Sequence, residues 1–142
     1  MAEQKIIPEF QLQGSAEKTI PLIGFGTAES PYGASSDESF KQVIHNAIKV
    51  GYRHFDTASL YMNEQALGKA IEDALKLGLV GSRDELFITS KLWCTDAHPD
   101  LVLPALHKSL KYINKPIYRN FHLGVRVYLL RRIEFVLDCI CL

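Results

Sequence analysis

The sequence has 142 residues and no formal net charge; 47% of its residues are hydrophobic and 23% are charged. This composition is typical of a soluble globular domain and gives no reason to expect nucleic acid or an anionic membrane as a partner. The three cysteines do not form an extracellular disulfide framework, no signal peptide opens the chain, and no charge-free stretch could span a bilayer, so a cytosolic location is predicted.

The first elements along the chain are predicted to be a β-hairpin and a short strand. Residues 9–13 alternate polar and apolar, Gly14-Ser15 makes a turn, and 19–23 is a second apolar run. The next strand ends in 24–27, where two glycines either let the backbone approach a ligand or simply form a turn. No third glycine opens a helix, so this is not the dinucleotide fingerprint of a doubly wound fold.

Three helices are predicted from their caps and their apolar periodicity. Ser35 and Glu38 fit a capping box at the start of the first helix. The apolar face expected for that helix consists of Phe40, Val43, Ile44, Ala47 and Ile48. Asn63 is expected to cap the second helix, and a third helix is expected to open near Pro99.

Two strand-like runs deliver the residues that could carry chemistry. Residues 52–61 begin as a strand, place Asp56 where the strand stops, and place Tyr61 just before the second helix. The run 86–91 ends in Lys91. A phenol has an unperturbed pKa of about 10, so it donates a proton readily only where a nearby positive charge favours the phenolate. Lys91 could supply that charge and Asp56 could hold it, although each residue alone is also compatible with a structural role.

The order of elements is a hairpin followed by three strand-helix pairs. Such alternation implies a parallel sheet with right-handed crossovers. Thr27, Asp56 and Lys91 each fall just past the carboxyl end of a strand. That edge of the sheet is where a (β/α)₈ barrel places its chemistry.

Three stretches resemble the aldo-keto reductases, and most closely the plant cytosolic NADPH-dependent members. They are residues 20–27 (IPLIGFGT), 51–64 (GYRHFDTASLYMNE) and 88–93 (ITSKLW), in the family's order and spacing. The resemblance runs from about Phe10 to about Lys111. It implies an α/β fold, namely a partial (β/α)₈ TIM barrel with an N-terminal hairpin and about three βα units. The predicted domain division is therefore 1–111, the barrel part, and 112–142, a divergent hydrophobic tail.

The resemblance also implies a reaction, in which a hydride passes from NADPH to an aldehyde or ketone. Tyr61 would donate the proton, Lys91 would favour its phenolate form, and Asp56 would pair with Lys91. Trp93 would wall the substrate pocket. The residues expected along the nicotinamide are Gly26, Thr27 and Asp56. The substrate would be a small carbonyl compound, no metal is expected, and the folded chain is predicted to be a monomer.

After Lys111 the sequence departs from the family pattern. No fourth strand ending in the family's catalytic histidine is found, His122 does not match that histidine, and strands four to eight are expected to be absent. Residues 125–142 are dense in apolar side chains and favour a helix over a strand. An alternative interpretation is therefore a truncated, catalytically inactive fragment that could bind a full-length relative.

The last four residues, 139–142, match the prenylation pattern C-a-a-X. A third interpretation is thus a peripheral protein that is anchored to a membrane through Cys139. Because the pattern is short and common by chance, the sequence favours the absence of prenylation.

Overall fold

The computed structural model describes residues 7–11, 19–113 and 121–123. They form a two-stranded hairpin and a parallel sheet whose strands alternate with helices. The strands are β1 (Glu9–Gln11), β2 (Thr19–Pro21), β3 (Gly24–Gly26), β4 (His54–Asp56), β5 (Phe87–Ser90) and β6 (Phe121–Leu123). The helices are α1 (Asp37–Lys49), α2 (Glu64–Lys76) and α3 (Pro99–Tyr112).

The hairpin pairs β1 with β2 in antiparallel fashion, with Glu9 opposite Pro21 and Gln11 opposite Thr19. This confirms the predicted hairpin, although β2 is shorter than the predicted run 19–23; residues 12–13 of the first predicted strand lie outside the described residues. The predicted turn at Gly14-Ser15 lies outside the described residues. The backbone N–H of Leu22 donates to the carbonyl of Pro8 over 2.9 Å, so the pairing continues past the end of β2.

The main sheet has the strand order β3-β4-β5-β6, and every neighbouring pair is parallel. The predicted alternation of parallel strands and helices is therefore confirmed. Because parallel neighbours need a crossover, α1 connects β3 to β4 and α2 connects β4 to β5. All carboxyl ends of these strands consequently lie along one edge of the sheet.

The prediction that strands four to eight are absent is wrong for the fourth. β6 pairs with β5 in parallel, with residue 121 opposite Ile88 and residue 123 opposite Ser90. A strand of three residues is too short to show the alternation by which strands are recognised, and its pairing depends on the edge that β5 presents. The prediction of a helix over 125–142 concerns residues outside the described ranges, and the division at residue 111 stays a prediction.

The core lies between the sheet and the pair α1 and α2. Its largest fully buried side chains include Phe55 from β4, Ile44 and Ile48 from α1, and Leu67 from α2. Full burial of one such side chain stabilises the fold by about 1.5–3 kcal/mol. Val43 is 49% exposed, so the predicted apolar face of α1 is narrower than the periodicity indicated.

The cap of α1 also differs from the prediction. Ser36, not Ser35, is the N-cap residue, and its hydroxyl accepts from the backbone N–H of Ser39 over 3.3 Å. The backbone N–H of Ser35 donates instead to the carboxylate of Glu29 over 3.2 Å. The helix thus starts one residue later, because two adjacent serines offer the same cap chemistry and loop geometry selects between them.

The third helix packs against α2 at the point where α2 carries a glycine, Gly68. A Cβ built on Gly68 would lie 2.0 Å from the carbonyl oxygen of Tyr112, so the two backbones are in direct contact. The start of α3 is less covered, with Leu101 and Leu103 exposed to 44% and 57%. Across the described ranges, no helix has both the length and the apolar character needed to cross a membrane.

Candidate active site

The parallel register brings the ends of three strands to the same level. Gly26 pairs with Asp56, and Asp56 pairs with Thr89 on the other side. The ladder continues one residue further, because the N–H of Thr27 donates to the Asp56 carbonyl over 2.9 Å and that of Thr57 to the Thr89 carbonyl over 2.8 Å. Side chains that follow these residues therefore emerge side by side at the carboxyl edge.

Lys91 is the centre of this edge. Its Nζ forms an ion pair with Oδ1 of Asp56, donates to the Thr57 carbonyl over 3.0 Å, and lies 3.3 Å from the phenolic oxygen of Tyr61. An ammonium group has three N–H donors, so these three partners can use all of them. The predicted proximity of Asp56, Lys91 and Tyr61 is confirmed.

The segment that carries Tyr61 is fixed at its backbone and at its ring. It is a 3₁₀ turn, Ser59–Tyr61, whose first N–H donates to the Lys91 carbonyl over 3.4 Å. Met62 ends the turn in the left-handed region with φ 58°. Tyr32, from the loop between β3 and α1, stacks on the Tyr61 ring at 5.6 Å between centroids and 19° between planes. The phenol therefore has little freedom to leave Lys91.

A small open cleft of about 60 Å³ adjoins the phenol and the ammonium. Its walls combine aromatic and aliphatic side chains with polar groups, among them the Lys91 ammonium and the hydroxyls of the two tyrosines. The lining residues are Tyr32, Ala58, Leu60, Tyr61, Lys91, Leu92 and Trp93. Trp93 thus lies where the sequence predicted it, in the wall of a pocket beside Tyr61. Its role as a substrate contact stays a prediction.

The three residues predicted to lie along a nicotinamide share this edge but differ in exposure. Gly26 is exposed, and apart from its chain neighbours no atom of the described residues lies within 4 Å of the position that a Cβ would take. The side chain of Asp56 is 36% exposed. Thr27 is only 3% exposed, and its hydroxyl faces Asn63 at 3.5 Å instead of the open edge. A bare backbone and a partly free carboxylate are therefore the groups that face the open space.

A family model described as the aldo/keto reductase family matches residues 22–117, which is more than half of the chain. The chain belongs to the aldo-keto reductase family. The match includes all the strand ends described above and extends a few residues past Lys111, where we expected the resemblance to end.

Similar family members come from plants and from an insect. The 7-acetyl-epi-neemfruitin B aldo-keto reductase of Melia azedarach is 60% identical over 111 residues, which are 78% of this chain and 33% of the relative. The NADPH-dependent codeinone reductase 1-2 of Papaver somniferum is 60% identical over 92 residues, 65% of this chain and 28% of the relative. The chain spans about a third of the length of the curated relatives that it matches.

A solved aldo-keto reductase of Bombyx mori, in complex with NADP, superimposes on this fold with a TM-score of 0.67 and 39% sequence identity. The likeness covers 76% of this chain and 34% of that one. The predicted fold class, a partial (β/α)₈ barrel, is therefore confirmed.

Asn63 is a residue of this aldo-keto reductase edge whose contacts the sequence did not indicate. The predicted N-cap position of Asn63 on α2 is confirmed, but its side chain makes no cap hydrogen bond. It is 4% exposed, donates from Nδ2 to the Thr27 carbonyl over 2.6 Å, and accepts at Oδ1 from the Thr57 hydroxyl over 3.1 Å. Asn63 therefore joins the loops after β3 and β4 directly behind the open edge.

Asn63→Asp is expected to lower the free energy of unfolding by about 2–3 kcal/mol, because it replaces a buried donor by a carboxylate oxygen that faces the Thr27 carbonyl. Urea unfolding followed by circular dichroism measures this loss. Asn46→Asp is the matched control: its side chain is exposed and only accepts, from Gln42 Nε2 over 3.1 Å. Equal stability of the two variants would contradict the role given to Asn63.

His54 lies at the opposite end of β4 and takes no part in the edge. Its ring nitrogens lie 2.9 Å from the Thr89 hydroxyl and 3.4 Å from the Pro21 carbonyl, so it ties the hairpin to the sheet. Burial lowers the pKa of His54, and the Pro21 carbonyl and the Asp56 carboxylate partly oppose that shift. In the part of the chain that the structure describes, no group of three or more His, Cys, Asp or Glu side chains could hold a metal ion.

Proposed function

We propose that this edge reduces the carbonyl group of an aldehyde or ketone with NADPH as the hydride source. In this proposal Tyr61 donates the proton, Lys91 favours the phenolate that remains, and Asp56 holds Lys91 in place. The observation that carries the proposal is that the Lys91 ammonium lies between the Asp56 carboxylate and the Tyr61 oxygen, 3.3 Å from the latter.

The position of the Lys91 ammonium supports this assignment, because it can stabilise the negative charge that the reaction would leave on Tyr61. A carbonyl carbon that receives a hydride leaves negative charge on its oxygen, and Tyr61 completes the alcohol by giving that oxygen a proton. The negative charge then resides on the Tyr61 oxygen, where the neighbouring ammonium stabilises it. The Lys91 side chain is only 15% exposed, so water screens this attraction less than at an open surface.

The residues present fit the nicotinamide end of NADPH. Gly26 leaves room for a flat ring to approach the backbone, and Asp56 has a second carboxylate oxygen beyond the one that binds Lys91. Several plant relatives are named as NADPH-dependent reductases, and the Bombyx mori structure contains NADP. We therefore infer NADPH for this chain, with Gly26, Thr27 and Asp56 beside the nicotinamide.

The cleft supports a small carbonyl substrate with an apolar body. Tyr32, Leu60, Leu92 and Trp93 line it together with Lys91 and Tyr61, whose hydroxyl a carbonyl oxygen would meet there. Apolar and aromatic walls combined with a small number of polar groups that fix orientation are typical of small-molecule sites. A cytosolic location and a monomeric state remain predictions from the sequence.

Tyr61→Phe tests the proposal, because it removes the proton donor and keeps the ring. Conversion of a reactive aldehyde by NADPH, measured with the chain in excess so that single turnovers count, is expected to fall about a hundredfold or more. Trp93 is the sole tryptophan, so energy transfer from its fluorescence to NADPH reports binding, which is expected to be unchanged.

The matched control is Tyr52→Phe, which removes a hydroxyl from a ring that packs on Phe25 at 5.4 Å between centroids, away from the cleft. Its aldehyde conversion is expected to equal that of the parent. If Tyr61→Phe converted the aldehyde as fast as Tyr52→Phe, Tyr61 would not be the proton donor.

A further inference from the structure

Glu64 is a buried carboxylate for which the proposed reaction has no use. It is the first residue of α2 and is 5% exposed. Its Oε1 accepts from the Ser90 hydroxyl over 2.6 Å, and its Oε2 accepts from the Ser109 hydroxyl over 3.0 Å. Within residues 7–11 and 19–113 it forms no ion pair with a lysine, arginine or histidine. A buried charge of this kind is costly unless its hydrogen bonds are complete, so its position calls for an explanation.

The two hydrogen bonds of Glu64 fix the orientation of the two serine hydroxyls. A carboxylate accepts hydrogen bonds and donates none, so both serine hydroxyls direct their protons at it. Ser90 is fully buried, which leaves its hydroxyl no water as an alternative partner. The result is a fixed joint between α2, β5 and α3.

The position of that joint in the chain links it to the candidate site. Glu64 comes three residues after Tyr61, and Ser90 comes immediately before Lys91. The bond between Glu64 and Ser90 therefore ties together the two segments that present the phenol and the ammonium. The backbone links the same segments through a longer bond, from the Ser59 N–H to the Lys91 carbonyl at 3.4 Å, and through the bond from the Thr57 N–H to the Thr89 carbonyl at 2.8 Å.

We propose that Glu64 is a positioning residue that sets the contact between Lys91 and Tyr61 through its hydrogen bond to Ser90. The contact between Lys91 and Tyr61 is observed whatever the protein does, but its importance for catalysis rests on the proposed function. Along a strand, successive side chains point to opposite faces, so Ser90 anchors the strand end from the helix side while Lys91 faces the cleft. Loss of the anchor lets the end of β5 move and loosens the hydrogen bonds of Nζ.

Ser109 provides a matched control, because it bonds the other oxygen of the same carboxylate. It lies on α3 and is adjacent in sequence to neither Lys91 nor Tyr61. Ser90→Ala and Ser109→Ala each remove one buried hydroxyl donor to Glu64. A role that was only structural would make the two variants alike in every measurement.

The test observes the Lys91 ammonium directly by proton–nitrogen NMR of the full chain, with the signal assigned by its loss in Lys91→Met. Ser90→Ala is expected to speed exchange of the ammonium protons with water about tenfold, and Ser109→Ala less than about twofold, at similar urea midpoints. Glu64→Gln keeps an acceptor for Ser90 and is expected to retain the parent exchange rate, whereas Glu64→Ala is expected to match Ser90→Ala.

Equal exchange in the two serine variants, whether fast or slow, would overturn the proposal. If Ser90→Ala does not fold, Ser90→Cys takes its place with the same two outcomes, because it nearly retains the volume and is a weak donor. The measurement uses neither NADPH nor a substrate. Failure of the proposed reductase function would therefore leave this result unchanged, and a failure here would not affect that function.

Discussion

Gly68→Ala is expected to lower the free energy of unfolding by about 3 kcal/mol or more, although alanine is ordinarily the better helix residue. The added Cβ would lie 2.0 Å from the carbonyl oxygen of Tyr112, 3.0 Å from its carbon and 3.2 Å from Cα of Ile113. All three are backbone atoms at the end of α3, so no side-chain rotation can relieve the overlap. The gain of about 1 kcal/mol in helix propensity is smaller than this steric cost.

Relief of the overlap requires α3 to move away from α2. Ile113 is 4% exposed and would lose its packing in the core. The hydrogen bond from Ser109 to Glu64, one helical turn before Gly68 on the same face of α2, would lengthen as well. The absence of a side chain at Gly68 thus allows the close approach on which the joint behind Lys91 depends.

Urea unfolding followed by circular dichroism measures the effect, with Gly26→Ala as the control for the same substitution. In the part of the chain that the structure describes, only the chain neighbours of Gly26 come within 4 Å of a Cβ built there, so that variant is expected to stay within about 0.5 kcal/mol of the parent. A Gly68→Ala protein as stable as Gly26→Ala would show that the two helices can separate at little cost.

Periodicity and strand-end placement predicted most of the scaffold and the core of the site. The alternation of strands and helices predicted the parallel sheet, and that sheet requires Asp56 and Lys91 to emerge at one edge. Tyr61 followed from its distance along the chain after Asp56. The parallel sheet was predictable because it depends on a regular repeat that the sequence displays directly, whereas the roles given to Asp56, Lys91 and Tyr61 relied on the resemblance to the aldo-keto reductases.

The polar groups behind the edge could not be predicted in the same way. Asn63 at a helix start is compatible with a cap, and only the packed structure shows that the Thr27 carbonyl and the Thr57 hydroxyl use its side chain instead. Glu64 at the first position of a helix would ordinarily be solvated. Its burial follows from α3 docking over it, which depends on Gly68 and on residues far along the chain. The contacts of Asn63 and Glu64 depend on residues that are distant in the sequence, and no local sequence pattern indicates such contacts.

The 142-residue chain on its own is expected to convert carbonyl compounds with NADPH at well below about 1 per second, the lower range of ordinary enzymes. The described sheet has four parallel strands, whereas a closed barrel of this class has eight. The chain spans about a third of its curated relatives, so groups that they place on the remaining two thirds are not supplied by these residues. A proton donor at Tyr61 would therefore not be sufficient by itself for efficient turnover.

Three physical reasons support this expectation. In the proposed reaction, Tyr61 would give up its proton productively only when a hydride reaches the same carbonyl, and a misplacement of about 1 Å can cost on the order of a hundredfold in rate. A cofactor held at one end only cannot use its binding energy to orient the reacting ring. Lys91 is largely shielded from water, but the cleft beside Tyr61 is open, so its attraction for a developing phenolate would be weaker than in a closed site.

The measurement is the loss of nicotinamide absorbance when the purified chain meets NADPH and a reactive aldehyde, with a full-length plant relative assayed in parallel as the positive control. Trp93 fluorescence, measured in the same samples, separates a chain that fails to bind NADPH from one that binds it without turnover. Failure to bind NADPH favours the alternative of a catalytically inactive chain, and binding without turnover leaves the proposed roles of Tyr61 and Lys91 intact.

Turnover above about 1 per second that disappears in Tyr61→Phe would contradict the expectation. It would mean that four parallel strands and the Lys91–Tyr61 contact suffice to orient both reactants. A closed barrel, which excludes water from the site, would then contribute little to the rate of the reaction.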